Sequence, residues 1–284
     1  MGTVSLTAGL GVKLQHLDEA LDCPAEGLWF EIHAENYMVA GGPRLAALDA
    51  LRGRQPISLH SVGLSLASAS APSPAHLRLL ADLAARVGPI AVSDHLAWQT
   101  WRGVHMHDFL PFPRTQEALA RVADNVACVQ DAIGMRMLIE NPSLYVDLPG
   151  HDFSEIEFLE EVARRSGCGL LVDINNIFVS ASNLGFDAAA YVDALPAELV
   201  GEVHLAGHAP DSDPESPLLI DTHDRPVSEV VWDLYARLIR RVGPRPTLIE
   251  RDDNIPSFAE LMAERDRAHQ LLRADERIRD RVRV

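Results

Sequence analysis

Cysteine is scarce in this chain of 284 residues, with Cys23, Cys128 and Cys168 its three examples. They lie far apart, form no CxxC pair and leave one thiol over under any disulfide scheme, so a reducing compartment and three buried thiols are expected. Cations are scarce too. The 25 Lys+Arg face 41 Asp+Glu, a net charge of −16, which repels phosphate backbones, argues against nucleic acid as a partner and favours metal ions or cationic ligands. Apolar runs stay well short of the ~20 residues that span a membrane. The opening MGTVSLTAGLGVKL has no basic region followed by a long apolar stretch, so a cytoplasmic protein without membrane contact is expected. Three common active-site loops are missing as well. GLSLAS (63 to 68) lacks the second glycine of a GxSxG elbow, and neither GxGxxG nor GxxxxGK[ST] occurs.

What the chain does have is a rhythm. With 47% hydrophobic residues it can bury a sizeable core. Eight short apolar runs recur, at 8 to 14, 28 to 35, 55 to 60, 90 to 95, 136 to 140, 169 to 175, 199 to 206 and 246 to 250. Near-continuous apolar runs suit strands covered on both faces, as in a parallel sheet. The segments between them read as helices. Leu119, Val122, Val126, Val129 and Ile133 step by 3, 4, 3 and 4 ahead of Gly134, a helical face with a glycine stop. Ser154 and Glu157 predict a capping box, and Val227, Val231, Leu234 and Leu238 repeat the helical spacing. Strand then helix, about eight times over, predicts an α/β (β/α)8 TIM barrel of xylose-isomerase-like type. One domain over 1–284 is expected, with the barrel at about 8–268 and a solvated, charged helix end at 269–284. The long irregular stretch 207 to 226, rich in Pro, Asp and Ser, falls after the seventh strand on the catalytic face.

The strand ends carry the chemistry. They hold His60, Asp94 with His95, Glu140, Asp173, His204 and Glu250, while strand two carries Glu31, His33 and Glu35. Barrel active sites are built at this end, so these side chains should converge on one mouth above strands whose lower halves are almost wholly apolar. Any one of them alone reads as a hydrogen-bonded barrel residue. Six successive strands ending in His or carboxylate do not, because so many buried acids without cations cost several kcal/mol per charge. Three histidines and three carboxylates without a thiolate suit Fe, Mn or Zn. Six or more ligands exceed the needs of one catalytic ion, so two or more ions and a bridging carboxylate follow. In the loops, Asp221 and His223 form either a peripheral metal site or a solvated turn. His208 leaves the strand at the mouth. His105 and His107, after Trp98 and Trp101, suit a substrate loop or ligation.

The blocks FEIHAENYM (30 to 38), ISLHSVGLSL (57 to 66), SDHLAW (93 to 98), LIENPSLYV (138 to 146), GCGLLVDINNIFVSASNLGFD (167 to 187), VHLAGH (203 to 208), IDTHDRPVSEVVWDLY (220 to 235) and LIERDDNIP (248 to 256) carry a resemblance. Together they resemble the multinuclear non-haem iron-dependent oxidative enzymes, from about Gly9 to about Ala268. That family's members with assigned roles are (β/α)8 barrels that use iron and dioxygen to modify cysteines of ribosomally made peptides. Their products include oxazolone with thioamide, thiooxazole, and a cysteine stripped of its β-carbon. The resemblance implies His60, His95, Glu140, Asp173, His204 and Glu250 as ligands of a two-iron core of mixed Fe(II)/Fe(III), with Glu140 the bridge and O2 the co-substrate. It places Asn176, Asp221 and His223 near a third ion and makes Glu140, Asp173 and His208 the catalytic candidates. It also implies a Cys-containing precursor peptide as substrate and a heterodimer with a partner protein that recruits it. One departure stands out: relatives often read NHGF where this chain has Asn183, Leu184, Gly185 and Phe186. Two competing readings share the ligand types, namely a divalent-metal barrel isomerase or endonuclease-like hydrolase, and a non-catalytic metal-binding scaffold.

Overall fold

The computed structural model describes residues 6–102 and 104–282, apart from the side chains of His107 and Val282. Eight barrel strands follow the apolar runs: β1 Ala8–Gly11, β2 Phe30–His33, β3 Ile57–His60, β4 Val92–His95, β5 Leu138–Glu140, β6 Gly169–Asp173, β7 Val200–Leu205 and β8 Thr247–Ile249. Each pairs in parallel with its neighbours in chain order, and β8 closes onto β1. The expected (β/α)8 barrel is therefore the fold. Its register sets His33 beside His60, His95 beside Glu140 and Asp173 beside His204, so the polar strand ends lie level around one mouth.

The helices form the outer layer: α1 Leu17–Asp22, α2 Pro43–Arg52, α3 Pro74–Val87, α4 Gln116–Ile133, α5 Glu155–Ser166, α6 Ile174–Leu184, α7 Ala188–Ala194, α8 Glu229–Val242 and α9 Phe258–Val282. Their boundaries have local causes. Gly134 ends α4 at φ 71°, and Ser154 with Glu157 makes the reciprocal capping box that opens α5. Leu119, Val122, Val126 and Val129 of α4 are buried against the barrel. At β1, Gly9 is required by close approach, since a Cβ there would stand 2.5 Å from the buried Trp29 ring.

Four expectations need correction. The end of α9 is solvated only in part: Leu272 and Asp275 are buried and Arg279 donates to the carbonyls of Ile239 and Arg240, while Arg277, Ile278, Asp280 and Arg281 are exposed. Further up the same helix, buried Arg265 donates to the Ala8 carbonyl, tying α9 to β1. The mouth loops hold two antiparallel hairpins, Trp98–Trp101 with Val104–Leu110, and Ala209–Pro210 with Leu219–Ile220. The stretch 207 to 226 is thus partly regular. The lower strand halves, expected almost wholly apolar, carry more polar side chains than that, with Glu31, Ser58, Ser93 and Glu202 buried one layer below the mouth. Of the three free thiols Cys168 is buried as expected, whereas Cys23 and Cys128 are half-buried. No helix among the described residues is long and apolar enough to cross a membrane.

Candidate metal centre

Alternate residues of a barrel strand point inward, so Glu31 and His33, Ser58 and His60, Ser93 and His95, and Glu202 and His204 stack in pairs toward the mouth. The lower member often steers the upper one or its neighbour. Ser58 Oγ donates to Glu31 Oε2 at 2.6 Å, and His60 Nδ1 lies 2.8 Å from Ser93 Oγ, leaving Nε2 of His60 to face inward. That Nε2 is 3.4 Å from Glu140 Oε2, and so is Nε2 of His95. The second hairpin strand lays Phe109 on the His95 ring, stacked with centroids 3.7 Å apart.

His204 sits among four acids. Its Nε2 is 3.4 Å from Glu31 Oε1 and 3.6 Å from Glu202 Oε1, while Nδ1 is 3.2 Å from Glu250 Oε2 and 3.9 Å from Glu140 Oε1. Around this group, among the described residues, five overlapping sets bring three ligand atoms within 4.8 Å of one another: His60, His95, Glu140; Glu140, Asp173, His204; Glu31, His204, Glu250; Asp173, His223, Glu250; and His33, Glu250, Asp252. Ligands on opposite sides of an ion with bonds of ~2.0–2.2 Å lie about 4 Å apart, so the spacing suits metal coordination.

The hydrogen-bond pattern fits ions as well. Glu31 Oε1, Glu140 Oε2, Asp173 Oδ2 and Asn176 Oδ1 are buried and make no hydrogen bond among the described residues. Leaving each such group unsatisfied costs ~1–3 kcal/mol, a penalty that cations would remove. Without them, burial drives Glu140 well above the usual carboxylate range, and burial together with the neighbouring Asp221 pushes Asp173 up to about 7. Burial likewise raises Glu202 to about 7 and lowers His60 to about 4. His204 moves the other way: burial opposes its protonation, but Glu31 and Glu250 outweigh it and hold the imidazole well above its ordinary range. Groups pushed apart like this, packed in one mouth, mark a functional site.

Comparison with known proteins gives the family of the chain. Residues 7–273 match the family model described as RiPP precursor modification enzyme MbnB/TglH/ChrH. The chain belongs to this family. A UPF0276 protein of Caulobacter vibrioides is 62% identical over 278 residues, covering 98% of this chain and 99% of that one. Another from Paraburkholderia phytofirmans is 48% identical, covering 90% and 84%. Among solved structures, an L-ribulose 3-epimerase superposes with a TM-score of 0.60 at 12% identity, covering 98% of each chain. A D-psicose 3-epimerase from Clostridium cellulolyticum H10, solved with D-tagatose, gives 0.57 at 9%, covering 96% and 98%. At such identities the epimerases share the barrel alone.

For a member of the MbnB/TglH/ChrH family, the expected residues divide by position. His60, His95, Glu140, Asp173, His204, Glu250 and His223 all enter the overlapping sets. Asn176 is next to them on the first turn of α6, its N–H donating to Asp173 Oδ1 at 2.6 Å. Asp221 stands one step out, 2.8 Å from His223 Nε2 and accepting from Asn175 Nδ2 at 2.6 Å. His208 lies further out, with Nδ1 2.7 Å from Asn175 Oδ1 and its ring beside Phe178. Asp94 faces away from the centre and accepts from the Leu64 N–H. His105 lies exposed on the hairpin, outside the sets, and the side chain of His107 falls outside the described residues. Sequence reasoning brought Glu31 and His33 to the mouth without placing them in a ligand set, and it missed Asp252 as a candidate ligand and Glu202 as their neighbour. A cavity of about 550 Å³ opens over the centre, lined by His33, His95, Phe109, Tyr145, His223 and Asp252 among others.

Proposed function

We propose that this chain is a multinuclear iron-dependent oxidoreductase that modifies a cysteine of a ribosomally synthesised precursor peptide, with dioxygen as the oxidant. The observation that carries the reading is the sharing of Glu140, Asp173, His204 and Glu250 between overlapping ligand sets in one buried mouth. Shared carboxylates serve adjacent ions, whereas a lone hydrolytic ion needs three ligands and an open position. In this reading His60 and His95 would hold one iron and Asp173, His204 and Glu250 a second, with Glu140 the carboxylate they would share. Asn176, Asp221 and His223 serve a third position. Iron when bound supplies open coordination positions for a thiolate and for dioxygen, and the electrons that pass between them.

The remaining roles belong to the protein. Phe109 and Tyr145 wall the cavity where the peptide cysteine enters, and the Phe109 ring fixes the plane of His95. Ser93 selects the His60 nitrogen that faces the centre. His208, joined through Asn175 to Asp221, is the outer candidate for handling a proton. A partner protein brings the peptide, in a heterodimer with this chain.

Iron-loaded protein, co-expressed or mixed with its Cys-containing peptide, should change the peptide mass in air and leave it unchanged under anaerobic conditions. Elemental analysis and Mössbauer spectra should report at least two irons per chain. Turnover independent of oxygen, or protein that accepts zinc alone, overturns the proposal.

A further inference from the structure

Lys13 is the single lysine in the sequence; the other 24 cationic side chains are arginines. It follows β1 and reaches the rim of the metal centre, where Nζ sits 3.0 Å from Asp252 Oδ1 with the side chain mostly covered. That same oxygen is 4.0 Å from His33 Nε2, which is in turn 3.6 Å from Glu250 Oε1. His33, Glu250 and Asp252 form one of the five sets spaced for an ion, and this set already has a positive charge on it. Asp252 uses its other oxygen toward His223 Nδ1 at 3.1 Å.

The approach comes from the far side of the wall. Lys13, Gln15, Tyr37 and Arg44 line a second cavity of about 380 Å³, which shares His33, Glu250 and Asp252 with the first. Those three residues therefore separate a chamber above the proposed irons from a chamber entered by the lysine. An ammonium and a divalent ion compete for the same Asp252 oxygen, because each wants its lone pair and the two repel at contact distance.

We propose that the Lys13 ammonium is a tethered cation that occupies the Asp252 oxygen of the His33, Glu250 and Asp252 set, so that the chain takes up one divalent ion fewer than its ligands allow. The inference rests on the metal centre proposed above and adds to it a residue that sets the number of ions. Removing the charge opens the position to a further ion through the second cavity.

The test is a count. Metal-free protein is loaded anaerobically with excess Fe(II), or separately with Zn(II), then desalted, and ions per chain are measured. Lys13→Met should hold one equivalent more than wild type, Lys13→Arg should match wild type, and Asp252→Asn added to Lys13→Met should abolish the gain. A chemical route avoids any folding defect of the variants. Acetylation of metal-free wild type with an N-hydroxysuccinimide ester modifies Lys13 as the sole side-chain amine and should give the same extra equivalent. Equal counts in wild type, Lys13→Met and acetylated protein overturn this inference while leaving the metal centre standing. Wild type that takes up no divalent ion overturns both.

Discussion

Glu140 turns its Oε2 toward Nε2 of His60 at 3.4 Å. The same oxygen is 3.4 Å from His95, while Oε1 faces His204 at 3.9 Å, so the two oxygens of one carboxylate look toward different histidine groups. That is the placement a bridge needs. Glu140→Gln keeps the size and removes the cost of burying a charge, so its Tm should stay within a few degrees of wild type. An amide bridges ions poorly, and bound metal should fall by at least one equivalent per chain. Full metal content with full activity in this variant rules out the bridge.

Asp173 gives the centre a pH dependence. Burial and Asp221 raise its carboxyl from 3.8 to about 7 in the ion-free chain, so the fold favours the protonated form there. That contribution is complete below about pH 4 and is lost as pH rises to about 7. An ion needs the carboxylate and must displace the proton below 7, at ~1.4 kcal/mol per pH unit. The rise in Tm on adding metal should therefore be larger at pH 8 than at pH 6, with more protons released at pH 6. His60, lowered to about 4 by burial, is neutral across this window and adds no proton competition. A metal-induced rise that is the same at both values counts against Asp173 as a ligand.

How far the sequence discloses this centre follows from strand periodicity. His60, His95, Glu140, Asp173, His204 and Glu250 were legible because each interrupts an apolar run at its end, and register then brings strand ends level. Glu31 and Glu202 were harder, since each lies inside its run, although Glu31 with His33 and Glu202 with His204 are two apart and so share the inward face. That spacing was the available signal. Asp252 lies past the end of β8, where chain direction is set by loop contacts such as its own N–H donating to the His223 carbonyl at 2.9 Å. The Trp98 to Leu110 hairpin escaped as well, because its strands pair locally and are half exposed, and no apolar run marks them. The packing near the end of α9 was masked by composition: Arg279 looks solvated in sequence, yet its donors cap carbonyls of α8.

Asn141 holds Asp173 in place from the next strand. Its Oδ1 accepts from the Asp173 N–H and its Nδ2 donates to the Asp173 carbonyl, both at 3.0 Å and both buried. Asn141→Ala leaves the buried Asp173 N–H without its partner, at ~1–3 kcal/mol. Urea unfolding of the ion-free variant should show a loss of roughly 1–3 kcal/mol on the same grounds. The metal-loaded variant should also lose the ion shared by Asp173 and His204. A stability within 0.5 kcal/mol of wild type, about the scatter of a neutral surface change, removes Asn141 from this role.

Gly207 tests whether the long loop after β7 delivers His223. A Cβ at this position would stand 2.2 Å from the Arg225 carbonyl oxygen, and the Gly207 carbonyl accepts from the His223 N–H at 2.9 Å. The two ends of the loop are therefore locked backbone to backbone, with no room for a methyl group. Gly207→Ala must push Arg225 away and carry His223 with it, at ~1–3 kcal/mol for an overpacked contact. His60, His95 and Glu140 sit on β3, β4 and β5, away from this loop, so the ion they hold should remain. Metal content should drop by the one equivalent that depends on His223, matching His223→Ala. If Gly207→Ala keeps every ion while His223→Ala loses one, the loop closure is dispensable and His223 is positioned instead by Asp221 and Asp252, which flank its ring at 2.8 and 3.1 Å.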